Sequence, residues 1–170
     1  MAVRREALPL FLFLLLVAAV FALDQHTKTR MLDAFSHGTS LPVVENFFSL
    51  TLVHNEGGAF GLFATLPDPY QNVFLLVLPL AAIVMFVAYF LAYARTSVLL
   101  AAAFGLIVGG ALGNLLDRIA LGYVVDFFDF HWYDGVAWPT FNVADSAVTV
   151  GAGLLLLDYL MSARRAGRKP

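Results

Sequence analysis

Hydrophobic positions along the chain gather into four long runs. Residues 8–23, 73–94 and 97–116 contain no charged side chain, and a fourth run, 143–161, is uncharged through its middle. Each nears or reaches the about 20 residues that cross a bilayer core as a helix. The segments between them, 24–72 and 117–142, are richer in polar groups, turns and aromatics. In the first, Phe48, Leu50 and Leu52 alternate with Ser49, Thr51 and Val53, a period-two strand that runs into the turn-forming Asn55-Glu56-Gly57-Gly58. In the second, Tyr123 to Phe130 is strand-like in its β-branched and aromatic content, and Asp134-Gly135 marks a turn before Trp138 and Pro139. The pattern predicts an all-α polytopic membrane protein. It has four transmembrane helices and a small extracytoplasmic β-sheet at the membrane surface, all in one membrane domain over residues 1–170.

Composition strengthens this reading. Of 170 residues, 61% are hydrophobic and only 13% charged, far from the balance of a water-soluble domain. The net charge of -2, with no basic stripe, argues against nucleic acid as a partner and leaves membrane lipid and lipid-embedded molecules. No obligate protein partner is evident. The absence of cysteine excludes a thiol nucleophile and a thiolate metal site.

Arg4 and Arg5 before a short apolar run also describe a cleavable signal peptide, with Ala22 as a small residue at the cut. An uncleaved helix explains the charges better, because both termini then share one side. That side carries Arg4, Arg5, Arg95, Arg164, Arg165, Arg168 and Lys169, against Lys28, Arg30 and Arg118 on the other. The bias puts both termini in the cytoplasm and the two polar segments outside it. Trp132, Tyr133 and Trp138 suit the aromatic belt of a membrane interface.

The third run repeats Ala101, Gly105, Gly109 and Gly113 every four residues, a small-residue face that permits close helix packing. It ends in Asn114 and Arg118, four apart and on one face.

Most hydrolytic chemistries lack their residues. A zinc protease needs paired histidines, yet His26, His37, His54 and His131 are scattered and read as isolated interfacial side chains; no metal site is expected. A serine–lysine mechanism needs a positioned lysine, and only Lys28 and Lys169 exist; there is no GxSxG either.

Carboxylates remain. Asp126 lies in an FF-rich strand and Asp145 starts the last helix, both at the outer boundary. Two aspartates suffice for peptide hydrolysis when repulsion keeps one protonated and the other ionised. Each also has a plainer explanation. Asn142 followed three residues later by Asp145 is a capping box, and Asp126 could pair with Arg118. Asp24 and Lys28 fit an i,i+4 pair at a helix end, worth about 0.2–0.5 kcal/mol when exposed. Asp129, three residues after Asp126, faces the other side of a strand, and Asp158 lies near Arg164 and Arg165 at the cytoplasmic interface.

Taken together, the blocks DQHTK (24–28), NEGGAF (55–60), GGALGNLLDR (109–118), GYVVDFFDF (122–130) and FNVADS (141–146) resemble those of the bacterial lipoprotein signal peptidases, signal peptidase II. Five ordered blocks across almost the whole chain make the resemblance specific. It implies an inner-membrane aspartic endopeptidase, without a cofactor, that cuts diacylglyceryl-modified prolipoproteins before the lipidated cysteine. It further implies Asp126 and Asp145 as the catalytic pair, Asn55, Asn114, Arg118 and Asn142 as substrate-binding residues, and Asp24, Lys28, Gly57 and Asp117 as structural support. A proton-coupled transporter is the alternative from another class. It is disfavoured because the second and third runs carry no ionisable group near their centres and no inverted repeat is visible.

Overall fold

The computed structural model describes residues 2–58, 67–132 and 136–166. Ala59 and Phe60 of the second block, Tyr133, the Asp134-Gly135 turn, Arg168 and Lys169 lie outside the described residues. Helix α1 spans Ala2–Ala34, followed by strands β1 (Ser40–Val44) and β2 (Phe48–Asn55). Helix α2 (Asp68–Tyr89) continues into a π-helical turn, Phe90–Ala94, and α3 (Val98–Leu121) follows. Strands β3 (Val124–Trp132) and β4 (Val136–Ala137) lead to α4 (Val143–Ala166). All four helices are long and apolar enough to cross a membrane. The architecture is that of a polytopic membrane protein carrying a small antiparallel sheet, strand order β1-β2-β3-β4.

Helix α3 is the axis of the bundle, and α1, α2 and α4 all pack on it. Its small-residue face explains how closely. A Cβ on Gly105 would stand 2.9 Å from the Cβ of Leu16, and one on Gly109 2.9 Å from that of Val20, so only glycine lets α1 approach so near. On the other side, a Cβ on Gly110 would strike the carbonyl of Ala144 at the start of α4. Ser97 caps the N-terminus of α3 by accepting from the Leu100 amide. Gly122 ends it in the left-handed conformation at φ 85°, which turns the chain at once into β3.

Helix α1 continues well past the apolar run that announces it. Nothing from Asp24 to Ala34 is a proline or glycine, and that second half carries Asp24, Gln25 and Lys28 inward, against α3 and the start of α4, while His26, Thr29, Arg30 and Asp33 stay exposed. Its end packs on the sheet, where Met31 joins Leu52, Val125 and Phe127 in a second apolar core. The other face of the sheet turns toward the membrane helices.

A β-bulge sets which residues occupy that face. Leu50 pairs with Phe128, but Val53 rather than Leu52 pairs with Asp126, so β2 carries one extra residue. A shift of one residue exchanges the faces of a strand. Downstream of the bulge, Val53 and Asn55 therefore share the face of Asp126, Phe128 and Phe130; without it His54 would stand there instead.

Candidate active site

Asp126 and Asp145 reach the same place from different elements. The strand β3 carries Asp126 inward until it is only 1% exposed. Phe141 clips the chain before α4 onto β3, its carbonyl accepting from the amides of Phe127 and Phe128 and its own amide donating to the Phe128 carbonyl. Asn142 is thereby set between the two aspartates.

Every proton acceptor of the pair is addressed by an amide. The Asp126 Oδ1 accepts from Asn142 Nδ2 at 2.7 Å and its Oδ2 from Asn55 Nδ2 at 2.9 Å. The Asp145 Oδ1 accepts from Asn114 Nδ2 at 2.7 Å and its Oδ2 from the Asn142 backbone amide at 3.2 Å. The Asn142 Oδ1 accepts from the Asp145 amide at 2.9 Å, which completes a capping box at the start of α4. The plain and the chemical explanations of Asp145 therefore coexist in one side chain: Asn142 caps the helix and at the same time fixes both carboxylates.

Asn142 is wholly buried, and its amide also donates to the Asn114 Oδ1 and the Val125 carbonyl. It is hydrogen-bonded to both aspartates at once. Asn114 is similarly committed, accepting from Lys28 Nζ at 2.8 Å while it donates to Asp145. Asn55 holds Asp126 and accepts from the Gly57 amide, and the Gly57 carbonyl receives Arg118 Nη2 at 3.2 Å. Among the described residues Arg118 makes no ion pair with Asp126, contrary to the pairing its spacing suggested. Its Nε is buried with no hydrogen-bond partner among them.

Beneath the dyad lies a satisfied ionic cluster. Lys28 Nζ sits 2.8 Å from both Asp24 Oδ2 and Asp117 Oδ2, with Asn114 as its third acceptor. Asp24 Oδ1 accepts from the Ala144 amide, and Asp117 Oδ2 from the Val125 amide. Gln25, which sequence reasoning did not single out beyond its place in the first block, bridges Asp24, Asp117 and the Gly113 carbonyl. Asp24 and Lys28 are thus no exposed i,i+4 pair: they are 0% and 2% exposed, because α3 and α4 close over them. A spacing rule sees one helix and cannot see the helices that cover it.

Asp129 faces away from the dyad, as the strand alternation requires, and accepts from the Thr51 hydroxyl at 2.7 Å. His54 is not isolated. Its ring stacks on Tyr123 at 4.0 Å and lies 4.4 Å from His37, and burial followed by the nearby His37 lowers its pKa.

Burial pushes the Asp126 carboxyl up to about 7, with the neighbouring Asp145 adding to the rise and the Asn55 and Asn142 bonds opposing it. The folded state then binds a proton that the unfolded chain, near 3.8, has released. That contribution to stability is fully present below 3.8 and is lost as pH rises through about 7. The thermal midpoint of the protein is expected to fall between pH 5.5 and 8, and to fall distinctly less in Asp126→Asn. Equal slopes for the two proteins would contradict this assignment.

The aspartates open onto a cavity of about 1190 Å³, lined by Asn55, Asn114 and Arg118 and by the apolar side chains of Pro79, Val148 and Phe141. Paired carboxylates at the head of an apolar cavity can activate water against a bond presented from the membrane.

Residues 16–161 match the family model described as "Signal peptidase (SPase) II". The chain is 45% identical over 148 residues to the lipoprotein signal peptidase of Syntrophotalea carbinolica, covering 86% of this chain and 90% of that one. It is 44% identical over 159 residues to that of Moorella thermoacetica, covering 93% and 99%. A bacterial membrane enzyme solved by the in meso method at 2.3 Å resolution superposes with a TM-score of 0.81 at 30% identity, covering 93% of each chain.

Proposed function

This chain belongs to the signal peptidase II family, and from that membership we propose that it is a membrane-embedded aspartic endopeptidase that removes the signal peptide from prolipoproteins. It is a multi-pass bacterial membrane protein. The observation that carries the aspartic mechanism is the joining of Asp126 and Asp145 through the single buried side chain and backbone of Asn142. The transporter alternative finds no support in relatives that are peptidases.

In the proposed reaction Asp126, raised in pKa by burial, holds the shared proton. Both aspartates accept two N–H bonds, but Asp145 alone lies at the positive end of a helix, α4, an environment suited to the ionised form. The Asp145 carboxylate takes a proton from water, and the resulting hydroxide attacks the scissile carbonyl carbon. The carbonyl oxygen accepts the Asp126 proton, giving a tetrahedral diol. As the C–N bond breaks, Asp145 passes its proton to the departing amine and the diol returns one to Asp126. The unpartnered Nε of Arg118 and the loop at Gly57 lie where a substrate backbone can be held in extended form. The substrate carries a diacylglyceryl group on the cysteine after the cut, and the apolar part of the cavity receives its chains. By the charge bias the termini are cytoplasmic and the dyad extracytoplasmic, which a reporter fused after Tyr70 tests.

Purified protein in detergent or lipid is expected to cleave a diacylglyceryl-modified prolipoprotein and to leave its unmodified form intact, with no effect of chelator. Activity lost to chelator and restored by zinc would refute the two-aspartate mechanism.

A further inference from the structure

Helices α2 and α4 both lie against α3, yet scarcely touch each other, so a groove floored by α3 runs between them. On α4 it is lined by Asp145, Val148, Leu155, Tyr159 and Ser162, a stripe at helical spacing with Ala152 in its gap. Pro79, Phe86 and Tyr89 repeat the stripe on α2, and Leu100, Phe104, Ala111 and Asn114 on α3. The active-site cavity is one end of this groove. The other end is a recess of about 410 Å³ that contains one carboxylate, Asp158.

Asp158 is unused by the proposed catalytic machinery. It is half-buried, and among the described residues it has no hydrogen bond or ion pair. Arg164 and Arg165, further along α4, are exposed and leave it alone, although spacing suggested them as its neighbours. Tyr89 and Tyr159, 49% and 69% exposed, line the same recess. A carboxylate with no partner among the described residues, sharing a membrane recess with two tyrosines, suits a cation.

A signal peptide has the complementary form: an apolar stretch of about 7–15 residues preceded by a positively charged segment. As a helix the apolar stretch is about 10–22 Å long. Asp145 and Asp158 stand thirteen residues apart on one helix, which is about 20 Å. We infer that the α2–α4 groove seats the apolar helix of the signal peptide and that Asp158 is the specificity residue that binds the positive charge preceding it. The inference rests on the peptidase function proposed above. It places the cation of the substrate at one end of the groove and its cleavage site at the dyad, so that charge and cut are measured against each other.

The test is a cross of enzymes and substrates. Lipid-modified prolipoproteins with lysines or with glutamines before the apolar stretch are cleaved by the wild type, Asp158→Asn, Asp158→Glu and Asp158→Lys proteins. The wild type is expected to show a KM about tenfold lower for the lysine substrate, with kcat unchanged. Asp158→Glu keeps most of that preference, Asp158→Asn abolishes it, and Asp158→Lys regains efficient binding only with glutamates in place of the lysines. A preference for lysine that is equal in the wild type and Asp158→Asn, both cleaving well, overturns the inference and leaves the peptidase function standing. Failure of the wild type to cleave any lipid-modified substrate overturns the function itself. Thermal midpoints of the variants separate misfolding from lost recognition, and the Asp158→Glu result remains decisive if Asp158→Lys does not fold.

Discussion

On the proposed mechanism Asp126→Asn and Asp145→Asn are each expected to lower prolipoprotein cleavage by about 10²–10⁴-fold, the scale on which a positioned acid or base acts, while the protein stays folded in the membrane. Both substitutions keep the side-chain shape and one carbonyl oxygen. Asp145→Asn can still accept from the Asn142 amide, so the helix cap survives in part. If Asp145 served only the cap and the helix dipole, Asp145→Asn would cost roughly 0.3–1 kcal/mol of stability and leave turnover nearly intact. The two explanations therefore separate on one comparison, turnover against thermal midpoint. Asp129→Asn is the control, since Asp129 faces Thr51 on the other side of the sheet, and it is expected to retain most activity. Near wild-type cleavage by Asp145→Asn would end the two-aspartate mechanism.

Lys28→Met is the most damaging single change expected for stability. Removing the ammonium leaves Asp24 and Asp117 buried together with their cation gone, and breaking a buried ion cluster in this way costs about 3–5 kcal/mol. The loss spreads, because Lys28 also holds Asn114, which holds Asp145. Far-UV circular dichroism on heating in detergent measures it. Adding Asp24→Asn and Asp117→Asn to Lys28→Met should recover part of the stability, because it is the uncompensated charge that destabilises. A Lys28→Met protein as stable as the wild type would show that the cluster contributes little.

Much of this was legible in the chain. Hydropathy alone marks four spans, since hydrocarbon imposes a length that no soluble helix must meet. The glycine repeat of α3 announces a close-packed face, and the Asn142–Asp145 spacing announces a cap. The dyad could be nominated because carboxylates among phenylalanines need a reason. What could not be read was depth. Whether Asp24 and Lys28 are exposed depends on two other helices, and whether Asn55 or His54 stands beside Asp126 depends on a bulge that leaves no mark in the alternation of β2. Asn114 and Asn142 could be read as polar site residues, but that their amides are committed to the aspartates is a tertiary fact.

The division of the dyad between β3 and α4 bears on how such an enzyme is made. A chain emerging from the ribosome at about 5–20 residues per second presents Asp126 before α4 exists. Until α4 inserts and Asn142 docks, Asp126 lacks its partner and one of the two amides that hold it. On the proposed mechanism a half-built molecule is therefore inert, and proteolytic competence arrives with the last helix. On that mechanism, insertion of the last helix would do for this enzyme what removal of an inhibitory propeptide does for other proteases.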